Sequence, residues 1–136
     1  MLTNYVCKAQ TLDSLKLLSG EIPAHYKLID KLLCKSVQPQ ILYDKPEMYA
    51  GMMGTVLHKD FQSFESKNDQ GTILYIEYEK DITGWEGFLD GLLWGGNKPT
   101  KEHPEEYLIK KNILVIWSFL KKSEIKAISK TKVSAL

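Results

Sequence analysis

The sequence predicts an α+β fold: one domain with a mixed or antiparallel sheet packed against several helices. Three observations carry this. Residues 72–79 alternate as a half-buried strand does, residues 113–117 form an unbroken apolar run, and several other segments repeat their apolar residues at helical spacing. The 136 residues fit one domain, 1–136. A chain of that size buries roughly two thirds of its unfolded surface, so it needs no disulfide or metal to hold a core.

Taken in order, Leu2 to Ala9 alternates weakly and reads as a first strand. Thr11 to Ser19 reads as a short helix, with Leu12, Leu15 and Leu18 on one face and Gly20 as its stop. Pro23 and Ala24 open a second helix to about Lys35, whose apolar stripe is Tyr26, Ile29, Leu32 and Leu33. Gln38 to Pro46 contains two prolines and reads as a connector. Residues 47–65 are ambiguous. Tyr49, Met52, Met53, Val56, Leu57, Phe61 and Phe64 suit a helix, whereas Gly51, Gly54, Thr55 and Val56 weaken it. The first half is taken as helix, and the second half stays open between helix and a hairpin strand.

Residues 67–71, Lys-Asn-Asp-Gln-Gly, mark a turn. In the strand that follows, Leu74, Ile76 and Tyr78 form a wholly apolar face directed at the core, opposite Ile73, Tyr75 and Glu77. Gly84 to Gly95 reads as a helix with Trp85, Phe88, Leu89, Leu92 and Leu93 on its apolar side. A loop runs from Gly95 to about Glu106. Lys111 to Phe119 is a central strand covered on both faces. Ser123 caps a last helix bearing Ile125, Ile128, Val133 and Leu136.

Charge excludes more than it suggests. The formal net charge is +1, which argues against a nucleic-acid footprint. All 18 basic residues are lysine, so no site here rests on an arginine fork gripping carboxylate, phosphate or guanine. Cys7 and Cys34 stand far apart with no metal-ligand pattern, as reduced thiols of a cytoplasmic protein do; the alternative is one disulfide in a secreted or periplasmic protein. No apolar run approaches the roughly 18 residues of a membrane span, and the first residues do not resemble a signal peptide.

No catalytic constellation, metal set or cofactor motif emerges. Gly84, Gly87, Gly91 and Gly95 form a stripe on the predicted helix, and each interior glycine costs about 1 kcal/mol against alanine. The stripe therefore implies a close approach by a strand, a partner or a ligand. It lacks the G-x-G-x-x-G order of a dinucleotide fingerprint. The expected contact surface is Trp85, Gly91, Trp94, Gly95, Gly96 and Tyr107, with Trp94 exposed as an anchor. The leading expectation is a non-enzymatic binding or interaction module that engages a protein partner or a small apolar ligand through segment 84–107.

An alternative is an apolar ligand site lined by Met52, Met53, Phe61, Tyr75, Tyr78 and Trp85. A third is a hydrolase-like enzyme using His58 or His103 with a nearby carboxylate, Asp60 for the former and Glu105 or Glu106 for the latter. Glu77 and Glu79 share a strand face and read as solvent-facing. Ser118 lacks a nucleophile-elbow context. Lys122, Lys126 and Lys130 read as the solvated face of the last helix.

Overall fold

In the computed structural model, which describes residues 11–136, the two best-patterned segments lie side by side in the middle of a sheet. Five strands, β1 (Lys27–Ile29), β2 (Val56–Glu65), β3 (Gln70–Tyr78), β4 (Glu106–Lys110) and β5 (Ile113–Ser118), pair in the order β1-β2-β3-β5-β4. Every pairing is antiparallel. Five helices accompany them: α1 (Thr11–Leu15), α2 (Val37–Asp44), α3 (Ala50–Met53), α4 (Glu86–Trp94) and α5 (Glu124–Ala135). The fold is α+β, as the sequence predicts. The strand expected at 2–9, and Cys7 within it, lie outside the described residues.

Both faces of the sheet are covered, which is why β5 carries no alternation. Ile73, Tyr75, Val115 and Trp117 pack with Leu12, Leu15 and Leu17 at α1 and with Ile125 and Val133 of α5. Leu74, Ile76, Leu114 and Ile116 pack on the other face with Leu42 of α2, Met53 of α3, and Leu89 and Leu93 of α4. The face of β3 bearing Ile73 and Tyr75 is thus as buried as the one expected to look inward. Helix α1 ends at Leu15 rather than Ser19, so Leu17 is buried while Leu18 is exposed. Leu136 is exposed as well.

Two expectations are corrected, and the open one at 47–65 is resolved. The helix expected at 23–35 is replaced by the short edge strand β1, with Lys27 opposite Glu65, followed by an irregular strap. The reason lies across the sheet. Ser63, Thr72 and Ser118 form one buried cross-strand row of hydroxyls. The strap amides of Leu33 and Lys35 donate to Thr72 Oγ1 (2.6 Å) and Ser118 Oγ (2.7 Å). A helix would have tied those amides up internally. The expected connector at 38–46 is instead α2, where Pro39 falls in the first turn and needs no intrahelical partner for its nitrogen. In 47–65 the first half is helical, as a 3₁₀ turn at Pro46–Tyr49 and α3, and the second half is β2, the hairpin partner of β3.

The edge strand β4 has no counterpart in the sequence reading, which left Glu106 to Lys110 outside any element. Gly71 is required where it stands: a Cβ there would lie 2.1 Å from the carbonyl oxygen of Ser118. Ser123 caps α5 as expected, its Oγ accepting from the Lys126 amide at 3.1 Å. No helix among the described residues is long and apolar enough to cross a membrane.

Candidate functional site

Helix α4 ends where Gly95 adopts the left-handed conformation (φ 66°), and the chain then forms a loop before β4 begins at Glu106. The loop is closed at its base. Trp94 Nε1 donates to the carbonyl oxygen of Glu105 at 2.7 Å, joining residues eleven apart. The Trp94 ring packs 5.7 Å from that of Tyr107, whose hydroxyl donates to Asp90 Oδ1 at 2.7 Å. Burial raises the Tyr107 hydroxyl above its ordinary pKa, and Asp90 adds to the shift. Trp85 precedes the first turn of α4 and meets Phe88 edge to face.

Glu105 fixes the loop from inside. Its side chain is fully buried. Oε1 accepts from Ser36 Oγ at 2.9 Å, and Oε2 accepts from Ser118 Oγ at 2.7 Å. None of the ion pairs among the described residues includes it. Cys34 sits in the strap beside this cluster. Burial pushes its thiol up to about 12, with the Glu105 charge adding to the effect. An inert thiol follows.

Between this anchored loop and the far end of β5 lies a pocket of about 560 Å³. Lys98, Pro99, Thr100, Lys101 and Pro104 of the loop line it together with Glu106, Leu120 and Lys121. Leu120 is half exposed, at 54%. Glu106 does not make the pocket acidic, because its carboxylate ion-pairs with both Lys126 and Lys130. Burial works to raise the Glu106 carboxyl, but the two ammonium groups outweigh it and hold the group below the ordinary glutamate value. Lys98, Lys101 and Lys121 have no ion-pair partner among the described residues.

The structure rearranges several expected sites. A Cβ added at Gly84, Gly87, Gly91, Gly95 or Gly96 meets nothing within 4 Å, so the glycine stripe marks no close packing inside the chain. Trp94, expected to be exposed, is half-buried and hydrogen-bonded. The apolar pocket expected from Met52, Met53, Phe61, Tyr75, Tyr78 and Trp85 does not assemble. Tyr75 lies on the opposite face of the sheet from Tyr78 and Met53, and Met52 is exposed. Lys126 is buried, not solvated.

His58 does find a carboxylate, but it is Glu77 across the strand pair, 2.9 Å from Nδ1, rather than Asp60. The imidazole is 73% exposed. No cavity described here is lined by either residue. His103 belongs to the pocket loop, where its backbone closes a turn with Thr100. Its Nδ1 is buried without a hydrogen-bond partner among the described residues. Glu79 is exposed just past β3. The described residues contain no cluster of three or more metal-ligating side chains.

Sequence reasoning missed Glu105 as an anchor and the pocket beside it. The available signal was that Thr72 and Ser118 end two otherwise apolar strand faces, which marks a place where buried hydroxyls need partners. No protein-family model, curated protein or solved structure matches this chain.

Proposed function

We propose that this protein is a binding module whose ligand occupies the pocket formed by residues 98–104, Glu106, Leu120 and Lys121. The observation that carries the reading is the pocket itself. It has the volume of an ordinary small-molecule site, proline and leucine walls, and a loop tied at its base by Trp94 and Glu105. A preformed wall loses little conformational entropy when a ligand arrives. The aromatic residues of segment 84–107 act here as supports of the loop rather than as a flat contact patch.

Amide chemical-shift mapping with a set of small neutral and charged aromatic fragments tests the reading. Saturable shifts are expected at residues 98–106 and 120–121, and Leu120→Glu should abolish them. Shifts confined to other regions, or no saturable shift with any fragment, would remove the site. The hydrolase reading fares worse on geometry, since the His58 imidazole is solvent-exposed and neither it nor Glu77 lines a described cavity.

A further inference from the structure

We infer that the pocket selects a small amphiphilic anion, a molecule with one carboxylate-type head and an apolar body. The inference rests on the pocket reading above and adds the chemistry of its occupant. Two features of the walls point this way. Lys98, Lys101 and Lys121 place three ammonium-bearing side chains on the lining, and none has an acidic partner among the described residues. The lining's carboxylate, on Glu106, is already neutralised by Lys126 and Lys130. Exposed Lys122 lies next in sequence to Lys121; the further opposing charges nearby in sequence are Glu102, exposed in the loop, Glu105, turned inward onto Ser36 and Ser118, and Glu124, which meets His25.

The second feature is apolar. Pro99, Pro104 and Leu120 give the lining hydrophobic surface, and the lysine stems extend it. A bare inorganic anion would leave that surface wet. A neutral hydrocarbon would leave the ammonium groups unused. With no arginine in the chain, the head is met by point charges rather than by a planar fork.

Binding of octanoate, octan-1-ol and inorganic phosphate to the full chain, followed by amide shifts at 98–106 and 120–121, tests this. Octanoate is expected to bind about tenfold tighter than octan-1-ol, the effect of one charge-assisted contact, and to weaken as salt rises. Phosphate is expected to bind more weakly than octanoate. A Lys98→Gln, Lys101→Gln, Lys121→Gln triple variant, altered only at surface positions, should bring octanoate down to the affinity of the alcohol. Equal binding of octanoate and octan-1-ol overturns the anionic assignment while leaving the pocket reading intact. Phosphate binding as tightly as octanoate overturns the amphiphilic part. If neither octanoate nor octan-1-ol moves these amides, the pocket reading falls together with the inference.

Discussion

Glu105 and Glu106 are neighbours in sequence and opposites in environment. Glu105 is fully buried and held by two serine hydroxyls. Glu106 is partly exposed and held by two lysines. Successive residues entering a strand point to opposite faces, so one peptide unit separates the face packed under α2 to α4 from the face packed under α5. The same side chain therefore does two jobs. Glu105 fastens the loop to the strap and to β5 through hydrogen bonds. Glu106 fastens β4 to α5 through charge, and so neutralises the one acid on the pocket wall. Polar atoms buried without partners cost more than they return when satisfied, which makes the Glu105 side of the pair the more sensitive to change.

The largest effect should come from Glu105→Ala. It removes the acceptor of two hydroxyls and opens a void under the loop, at a cost of about 3 kcal/mol. Urea unfolding would read this as a lower midpoint, and a midpoint within error of the parent would show that the hydroxyls find other partners. Glu106→Gln should cost less, about 2 kcal/mol, because the site is partly open but buried Lys126 loses its counter-charge. Here pH sharpens the comparison. A carboxyl held below its ordinary value stabilises the folded state above the unfolded pKa of about 4.3, and that stability is lost as pH falls through the lower folded value. The parent's advantage over Glu106→Gln should therefore be full at neutral pH and should vanish in acid. A gap that stays constant down to strongly acidic pH would contradict the ion-pair account.

The contrast also explains what the sequence revealed. β3, β5, α4 and the Ser123 cap were legible because each is decided locally, by alternation, an unbroken apolar run, helical spacing or a capping hydroxyl. The strap at 30–36 and the short edge β1 were not. The strap amides of Leu33 and Lys35 are satisfied by Thr72 and Ser118, side chains 39 and 83 residues away, β1 pairs with the distant end of β2, and helical spacing of Tyr26, Ile29 and Leu32 conceals both. The candidate site divides in the same way. Segment 84–107 was legible as the place to look, through its glycines and aromatics. The pocket also needs Leu120 and Lys121, which reach it only through the β4–β5 pairing. Nothing in the sequence distinguishes Glu105 from Glu106, because the difference depends on which face each side chain meets.

Ser36→Ala tests one arm of the Glu105 anchor and should cost about 1 kcal/mol, since Ser118 still donates to the other oxygen. A loss as large as that of Glu105→Ala would mean that the two hydroxyls act as a single unit.

The smallest expected effect is also the most local probe. Cys34 lies beside Glu105, and burial, reinforced by that carboxylate's charge and opposed by the Ser118 hydroxyl, sets its thiol at about 12. In a Cys7→Ser background, Cys34 should react with a thiol reagent at pH 8 on the order of a thousandfold more slowly in the folded chain than in urea, because thiolate is scarce and access is poor. Glu105→Gln keeps the size of the side chain and removes its charge, so labelling should quicken a few-fold while remaining far below the unfolded rate. Labelling of the parent as fast as in urea would show the strap opening on its own. A Glu105→Gln rate equal to the parent's would show that Cys34 feels the burial but not the charge, and would confine Glu105 to its hydrogen-bonding role.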